Sequence, residues 1–369
     1  MKFDLVVVGA GFSGAVIAER AARVLSWKVL VVEQRGHVGG NAHDEIDQHG
    51  VMIHSYGPHI FHTNSEKVWS YLSAFTEWHP YVHRVCARID NQLVPLPINL
   101  TSLAQLFTQA RARSVTAALL GDYGLGARVP VLRLTKSGNP VLRRAAAELR
   151  DRVYAGYTMK QWGLSPEELD ASVTGRVPIR VDYHDRYFTD RFQGMPRDGY
   201  TSLIERILAH PNIEVTLGTD FHEIVRGLRF RRLVYTGPID RFFDYRHGAL
   251  PYRSLRFDLR HHATDRVQQT GVVTYPDDRP YTRSCEFKIL TGHESPGTTV
   301  SYEYPQPHVP GNTTPYYPIP MRETRARYQR YVQDARSLDN VLFCGRLGSY
   351  QYLNMDQAVA QALKTFCLL

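Results

Sequence analysis

The chain opens on a short run over residues 3–8, apolar but for Asp4, that ends in three successive valines and shows no sustained polar alternation. That pattern predicts a parallel strand buried on both faces. Gly9-Ala10-Gly11-Phe12-Ser13-Gly14 follows at once, then an Ala-rich helical stretch over residues 15–25 and a second apolar strand over residues 28–32 that ends at Glu33. Together these read as one βαβ unit whose first turn cradles a pyrophosphate. Gly9 permits the tight turn, Gly11 lets backbone approach the phosphates, and Gly14 lets helix and strand pack closely. Phe12 and Ser13 open the helix, whose N-terminal N–H groups and dipole favour an anion. Glu33 is placed to accept the hydroxyls of an adenosine ribose, with Gln34 beside it, and an acidic group there disfavours a 2′-phosphate. Gly39-Gly40-Asn41 follows where a plain NAD domain would run into its next helix. Two glycines at that point suggest backbone passing along a longer cofactor, so FAD is the expected ligand.

Further along, residues 99–120 and 139–154 have helical spacing and Ala/Leu/Arg composition, separated by a Gly/Pro-rich connection over 121–130. A small helical insertion is expected there. Aromatic and β-branched residues dominate 173–199, and 272–303 again reads as strands, so these segments should build a mostly antiparallel sheet. Residues 201–209 read as a helix, with short strands at 214–217 and 232–236 that return to the nucleotide-binding sheet. The stretch 340–344 reads as one more buried strand, followed by Gly345-Arg346 and a last helix over 355–366. Asn354 and Gln357 have capping-box spacing, so Met355 should begin that helix. Its positive end would suit an anionic reduced flavin.

Composition excludes several classes. Of 369 residues, 43% are hydrophobic and 22% charged, which is ordinary for a globular protein and rules out a collagen-like or disordered chain. The formal charge of +8 suits an anionic partner such as a phosphorylated metabolite. Its basic residues are scattered without a basic motif, so nucleic-acid binding is not expected. Cys86, Cys285, Cys344 and Cys367 form no CxxC pair, and His59-x-x-His62 has no third ligand at suitable spacing, so no metal is expected. The widely spaced cysteines, the absence of a signal h-region and the lack of an 18-residue apolar run point to a cytoplasmic protein without membrane insertion.

Several aromatic- and histidine-rich motifs carry a resemblance. They are Tyr56-Gly-Pro-His59-Ile-Phe-His62-Thr, Gly156-Tyr157-Thr158-Met-Lys-Gln-Trp162-Gly, Tyr187-Phe-Thr-Asp-Arg-Phe-Gln-Gly, Tyr235-Thr-Gly-Pro-Ile-Asp, Phe243-Asp-Tyr-Arg-His-Gly-Ala-Leu and Pro280-Tyr-Thr-Arg283. In that order they resemble the bacterial UDP-galactopyranose mutases, over nearly the whole chain. The resemblance implies an α/β fold: an FAD-binding Rossmann-like domain, a helical insertion and a mostly antiparallel sheet substrate domain. Expected limits are 1–80, 195–250 and 315–369 for the FAD domain, and 95–155 for the insertion, with a substrate lid extending to about 170. The sheet domain would take 81–94, 171–194 and 251–314.

The implied activity is isomerisation of a nucleotide-diphosphate sugar between pyranose and furanose forms. Reduced FAD attacks the anomeric carbon through N5, and the nucleoside diphosphate departs and returns. Arg176 and Arg283 match the family's diphosphate-binding arginines. Tyr187, Tyr317 and Tyr352 match its phosphate-binding tyrosines, and Tyr154, Tyr157, Thr158, Trp162 and Asn354 match substrate-cleft positions. His59 and His62 are expected beside the flavin, where His62 could exchange a proton. A homodimer is the candidate assembly. Departures fall at Met159, Pro58 and Leu353-Asn354, where the family commonly has Glu, Ala and Tyr-Asp, and Val153-Tyr154 stands for an aromatic pair around the base. UDP-galactopyranose is the first-choice substrate, with a dTDP-sugar or UDP-N-acetylgalactosamine as alternatives and a flavin oxidase or dehydrogenase as a distant one.

Overall fold

A computed structural model describes residues 2–164, 177–319 and 321–369. The segment Lys2–Val8 is the central strand of a five-stranded parallel sheet in the order Ile213–Thr216, Val29–Val32, Lys2–Val8, Arg229–Tyr235, Val341–Phe343. Leu5 and Val7 pack into the main core while Val6, between them, packs with Phe221 and Tyr235 on the other face. This two-sided burial explains why the run lacks alternation. Helix Phe12–Leu25 begins three residues ahead of the expected stretch. Its alanines are fully buried, which lets it lie closely against Gly199–Leu208 and Met355–Phe366.

A seven-stranded sheet forms the second layer, in the order Tyr317–Pro318, Tyr252–His262, Thr298–Pro307, Arg283–Glu286, Val272–Thr274, Val85–Ile89, Gln92–Leu96. Its pairings are antiparallel except that between Val272–Thr274 and Val85–Ile89. Residues 177–199 contribute no strand to it, which corrects the expectation for 173–199. Ile179–Arg180 pairs with Arg128–Val129, and Phe192–Pro196 joins a small sheet with Phe61–Thr63 and Trp78–His79. High β-propensity made strands there, but which sheet they join depends on partners far away in sequence. Strand Gln92–Leu96 runs across the expected boundary at 94/95, and Tyr317–Pro318 joins this sheet beyond the expected limit at 314.

The helical insertion packs on the seven-stranded sheet, against Gln92–Leu96, Val85–Ile89 and Thr298–Pro307. The expected helix over 99–120 is two helices, Leu100–Leu106 and Gln109–Tyr123, because Phe107 is extended. Asn99 caps the first by accepting from the Ser102 N–H at 3.0 Å. Helix Pro140–Leu149 does not stop near 154. It passes through a π-helical turn, Arg150–Ala155, into Gly156–Trp162. That wider turn rotates the side chains that follow it, a feature common beside functional sites. Residues 165–176 lie outside the described residues, and with them the far end of the expected lid and Arg176. Among the described residues no helix is long and apolar enough to cross a membrane.

Candidate active site

The first βα turn opens onto a cavity of about 780 Å³. Gly9, Gly11, Phe12 and Ser13 line it from the turn, Glu33 and Gln34 from the end of the second strand, and Gly39, Gly40 and Asn41 from the glycine pair. Gly345, Arg346, Asn354 and Met355 close it from the C-terminal segment. The three glycines of the turn have different constraints. Gly9 has φ +103° and a Cβ there would sit 2.2 Å from Thr236 Oγ1. Gly14 is not a wall of the cavity; a Cβ on it would lie 1.9 Å from the Gly9 carbonyl oxygen, so it serves helix-to-strand packing. Gly11 has φ −81° and a Cβ there would make only ordinary contacts, with Gly40 Cα at 3.6 Å and with Gly39 O and Gly40 N at 3.9 Å. The chain itself leaves room at Gly11, so bareness there serves whatever occupies the cavity.

Other details fit an adenine dinucleotide. Glu33, 5% exposed, accepts from the Ala10 N–H at 2.8 Å and the Arg35 N–H at 2.9 Å, which fixes its carboxylate at the cavity wall with lone pairs remaining for ribose hydroxyls. Arg35, which the sequence reading did not single out, lines the same cavity with its guanidinium over the Tyr56 ring. Its Nη1 is buried without a hydrogen-bond partner, an expensive arrangement unless an anion meets it. At the other end, Gln357 Oε1 accepts from the Asn354 N–H at 2.9 Å, and helix Met355–Phe366 turns its positive end to the cavity.

Arg283 stands at the start of its strand, directly opposite Glu303 in the register. Glu303 is 1% exposed and Oε2 accepts from Arg283 Nε at 2.7 Å and meets Nη2 at 2.6 Å. One edge of the guanidinium is thereby held, and the Nη1 edge remains for a ligand. The pairing with Glu303 and the neighbouring Tyr157 and Tyr317 hold Arg283 charged against the opposing effect of burial. Burial in turn pushes the Tyr157 and Tyr317 phenols upward, so both remain protonated donors at neutral pH.

The rings of Tyr317 and Tyr352 stack with centroids 5.1 Å apart, and Trp162 lies 6.0 and 6.1 Å from them. Arg346 reaches from the cavity wall over both tyrosines, at 5.4 and 5.2 Å. It is anchored there by the carbonyls of Leu353 and Tyr316. The structure thus brings Tyr157, Trp162, Arg283, Tyr317 and Tyr352 into one cluster that adjoins the cavity through Arg346, which lines it. Tyr187 packs edge-on against Phe188 and His83 next to them. Thr158 lies on the same helix as Tyr157 and Trp162. Tyr154 is packed against the core, and its buried hydroxyl has no partner. Val153 is wholly within the core.

The two motif histidines have different surroundings. His59 lines the cavity, and its Nδ1 meets the Gly57 carbonyl at 2.8 Å. A carbonyl only accepts, so Nδ1 carries the proton and Nε2 is an acceptor. Burial, then the nearby His54, Arg346 and Arg283, bring its value down to about 3 and keep the ring neutral. His62 does not line the cavity; its Nδ1 meets Asp190 Oδ2 at 3.0 Å and its ring stacks on Phe188. Glu303, Arg35 and the buried Arg253 were missed in the sequence because a charged residue inside a strand or after a turn gives no periodic signal.

Buried neutral histidines make stability sensitive to acid. His54 and His83 are 2% and 4% exposed, and burial lowers both from 6.5 to about 3. The unfolded chain takes up a proton at each below about pH 6.5, whereas the folded chain does not until about pH 3. Stability is therefore present above pH 6.5 and lost as pH falls through that window, by up to about 1.4 kcal/mol per pH unit for each histidine. His83→Gln should flatten the acid side of a plot of urea midpoint against pH between 6 and 4. An unchanged slope would contradict the neutral assignment.

Comparison with known proteins adds a family to this geometry. A family model described as UDP-galactopyranose mutase matches residues 152–352, and one for an NAD(P)-binding Rossmann-like domain matches residues 7–75. A protein of Klebsiella pneumoniae described as a probable UDP-galactopyranose mutase is 40% identical over 364 residues, covering 98% of this chain and 93% of its own. The dTDP-fucopyranose mutase of Escherichia coli is 35% identical over 367 residues, covering 98% and 96%. Among solved structures, a reduced UDP-galactopyranose mutase superposes with a TM-score of 0.71 at 13% identity, over 99% of this chain and 93% of that one. A putrescine oxidase superposes with a TM-score of 0.58 at 12% identity, over 100% and 98%, which reflects a shared fold.

Proposed function

The chain belongs to the UDP-galactopyranose mutase family and is an isomerase of that class, and from this premise we propose that it interconverts UDP-galactopyranose and UDP-galactofuranose with reduced FAD. The observation that carries this reading is the junction at Arg346 and His59, where the cofactor cavity meets the cluster of Arg283, Tyr157, Tyr317 and Tyr352. An oxidase has no need of a cation and several phenolic donors at that place. Reduced FAD bound in the cavity supplies a nucleophilic N5 for the anomeric carbon.

The chain's own groups manage the departing diphosphate. Arg283, oriented by Glu303, offers its Nη1 edge to phosphate oxygens as negative charge grows there, and keeps the diphosphate in place for its return. Tyr157 and Tyr317, held protonated by burial, donate to the same oxygens. Tyr187 and Tyr352 extend that donor set, and Arg176 is the second proposed phosphate cation. Trp162 contacts the nucleotide sugar. Neutral His59 accepts a hydrogen bond through Nε2, whereas His62, paired with Asp190 and stacked on Phe188, lies off the cavity wall. The four cysteines are unpaired, which suits a reducing compartment, and we place the enzyme in the cytoplasm.

The same machinery acting on a dTDP-sugar is the second reading. Val153 is buried in the core and supplies no open wall for a base, and a dTDP-fucopyranose mutase is among the relatives. The test is anaerobic incubation of chemically reduced enzyme with UDP-galactose, UDP-N-acetylgalactosamine or a dTDP-sugar, followed by anion-exchange separation of the isomers. Conversion should require reduced flavin without consuming stoichiometric reductant. Equal conversion with oxidised flavin and no reductant would overturn the mechanism, and the best substrate settles the nucleotide.

A further inference from the structure

Arg283 is delivered by the loop 275–282, which links Val272–Thr274 to Arg283–Glu286. The loop is closed at its base by the Tyr275 N–H donating to the Thr282 carbonyl at 2.8 Å, and Thr282 N–H donates to the Glu303 carbonyl at 2.9 Å. The carbonyls of Tyr275, Asp277, Arg279 and Tyr281 all turn inward onto a single atom. That atom is Lys160 Nζ, at 2.5, 2.8, 2.9 and 3.1 Å respectively. A ring of main-chain carbonyls around one positive charge is how proteins hold a desolvated monovalent cation, and here a side chain provides it. Without the charge, four converging carbonyl dipoles would repel one another and the loop would open.

The lysine also joins two parts of the site. It projects from Gly156–Trp162, the helix that carries Tyr157 and Trp162. That helix sits so close to the loop that a Cβ on Gly156 would fall 2.0 Å from the Pro276 carbonyl oxygen. At its other end, Arg253 donates to the Gln161 carbonyl at 2.8 Å and the Lys160 carbonyl at 3.1 Å. We propose that Lys160 is a positioning residue, a built-in cation that shapes the 275–281 loop and sets Arg283 in register with Tyr157 and Trp162. The inference rests on the mutase reading and adds to it a group that does not touch the substrate.

Lys160→Met keeps the length of the side chain and removes the charge. With flavin content and the flavin spectrum unchanged, it should lower kcat by about 10- to 100-fold and leave KM less affected, since a displaced charge-stabilising group acts mainly in the transition state. Added to Arg283→Ala it should cost less than about 3-fold more, because the group it positions is already gone. In Lys160→Ala, n-propylammonium replaces the deleted atoms and should restore kcat at least several-fold in a saturable way. If the alanine variant is unstable, the amine should restore melting temperature and kcat in parallel.

A kcat within about twofold of wild type in flavin-loaded Lys160→Met overturns the inference. So does a fully multiplicative loss in the double variant, or an amine that restores melting temperature without kcat. Wild type and Arg283→Ala are the controls. An active wild type with impaired Arg283→Ala and unimpaired Lys160→Met defeats this inference alone. A wild type without mutase activity defeats the functional reading and this inference with it.

Discussion

Replacing Arg283 with Ala should lower kcat by about 100- to 1000-fold, the usual cost of removing one donor aimed at charge that develops in the transition state. Steady-state kinetics on enzyme confirmed to retain flavin measures it. The structure adds a complication that the sequence did not show. Glu303 is almost fully buried against this guanidinium, so the alanine variant also leaves a carboxylate without its partner. Breaking a buried pair in that way typically costs about 3–5 kcal/mol of stability. Arg283→Lys separates the two effects. It keeps a cation opposite Glu303 and should preserve most of the melting temperature, yet an ammonium cannot hold Glu303 on one edge and phosphate on the other, so kcat should recover only in part. Near-wild-type kcat in both variants would remove Arg283 from the active site and leave the cofactor cavity untouched. Arg176→Ala should resemble Arg283→Ala, with a double variant less than additive if both serve one leaving group.

Gly11→Val and Gly14→Ala should fail in opposite ways, although they lie three residues apart in one motif. At Gly11 the backbone is in an ordinary region and the first side-chain atom meets only the Gly39–Gly40 backbone, at van der Waals distances of 3.6 to 3.9 Å. The valine variant should fold, give an unchanged far-ultraviolet spectrum and purify colourless, because its branched side chain occupies the approach of the pyrophosphate. Gly14→Ala places a methyl 1.9 Å from the Gly9 carbonyl oxygen, so helix Phe12–Leu25 must move off the sheet. A loss of about 3 kcal/mol, the upper part of the range for overpacking, is expected in urea unfolding. Flavin absorbance at 450 nm and the unfolding midpoint distinguish the two. A yellow Gly11→Val protein would defeat the cofactor placement, and an undisturbed Gly14→Ala midpoint would defeat the packing role.

The contrast shows what each level of description contains. The sequence alone determined the βαβ unit, since a buried parallel strand, a glycine turn and an Ala-rich helix are local consequences of period and side-chain size. It also determined where the last helix starts, because Asn354 and Gln357 form a capping signal within four positions. The family resemblance groups Arg283, Tyr317 and Trp162, and the fold brings these three near one another. Tertiary structure decided the rest. Strand Tyr252–His262 and helix Arg322–Arg336 gave no clear apolar period, because arginines and histidines interrupt the first and polar residues fill the second. Distant partners stabilise them instead: the strand pairs along its length with Thr298–Pro307, and Tyr331 of the helix stacks on Phe243.

Residues 177–199 had strand-forming composition, yet Phe192–Pro196 joined Phe61–Thr63, a choice that depends on what lies beside it across more than a hundred residues. The same holds for the groups that orient the site. Glu303 is an acidic residue in a strand until the register sets it opposite Arg283, and Lys160 is one more basic residue until four carbonyls of a remote loop close around it. Local signals arise from neighbours within a few residues, whereas the value of a buried charge is set by dielectric and partners that only the folded chain brings together.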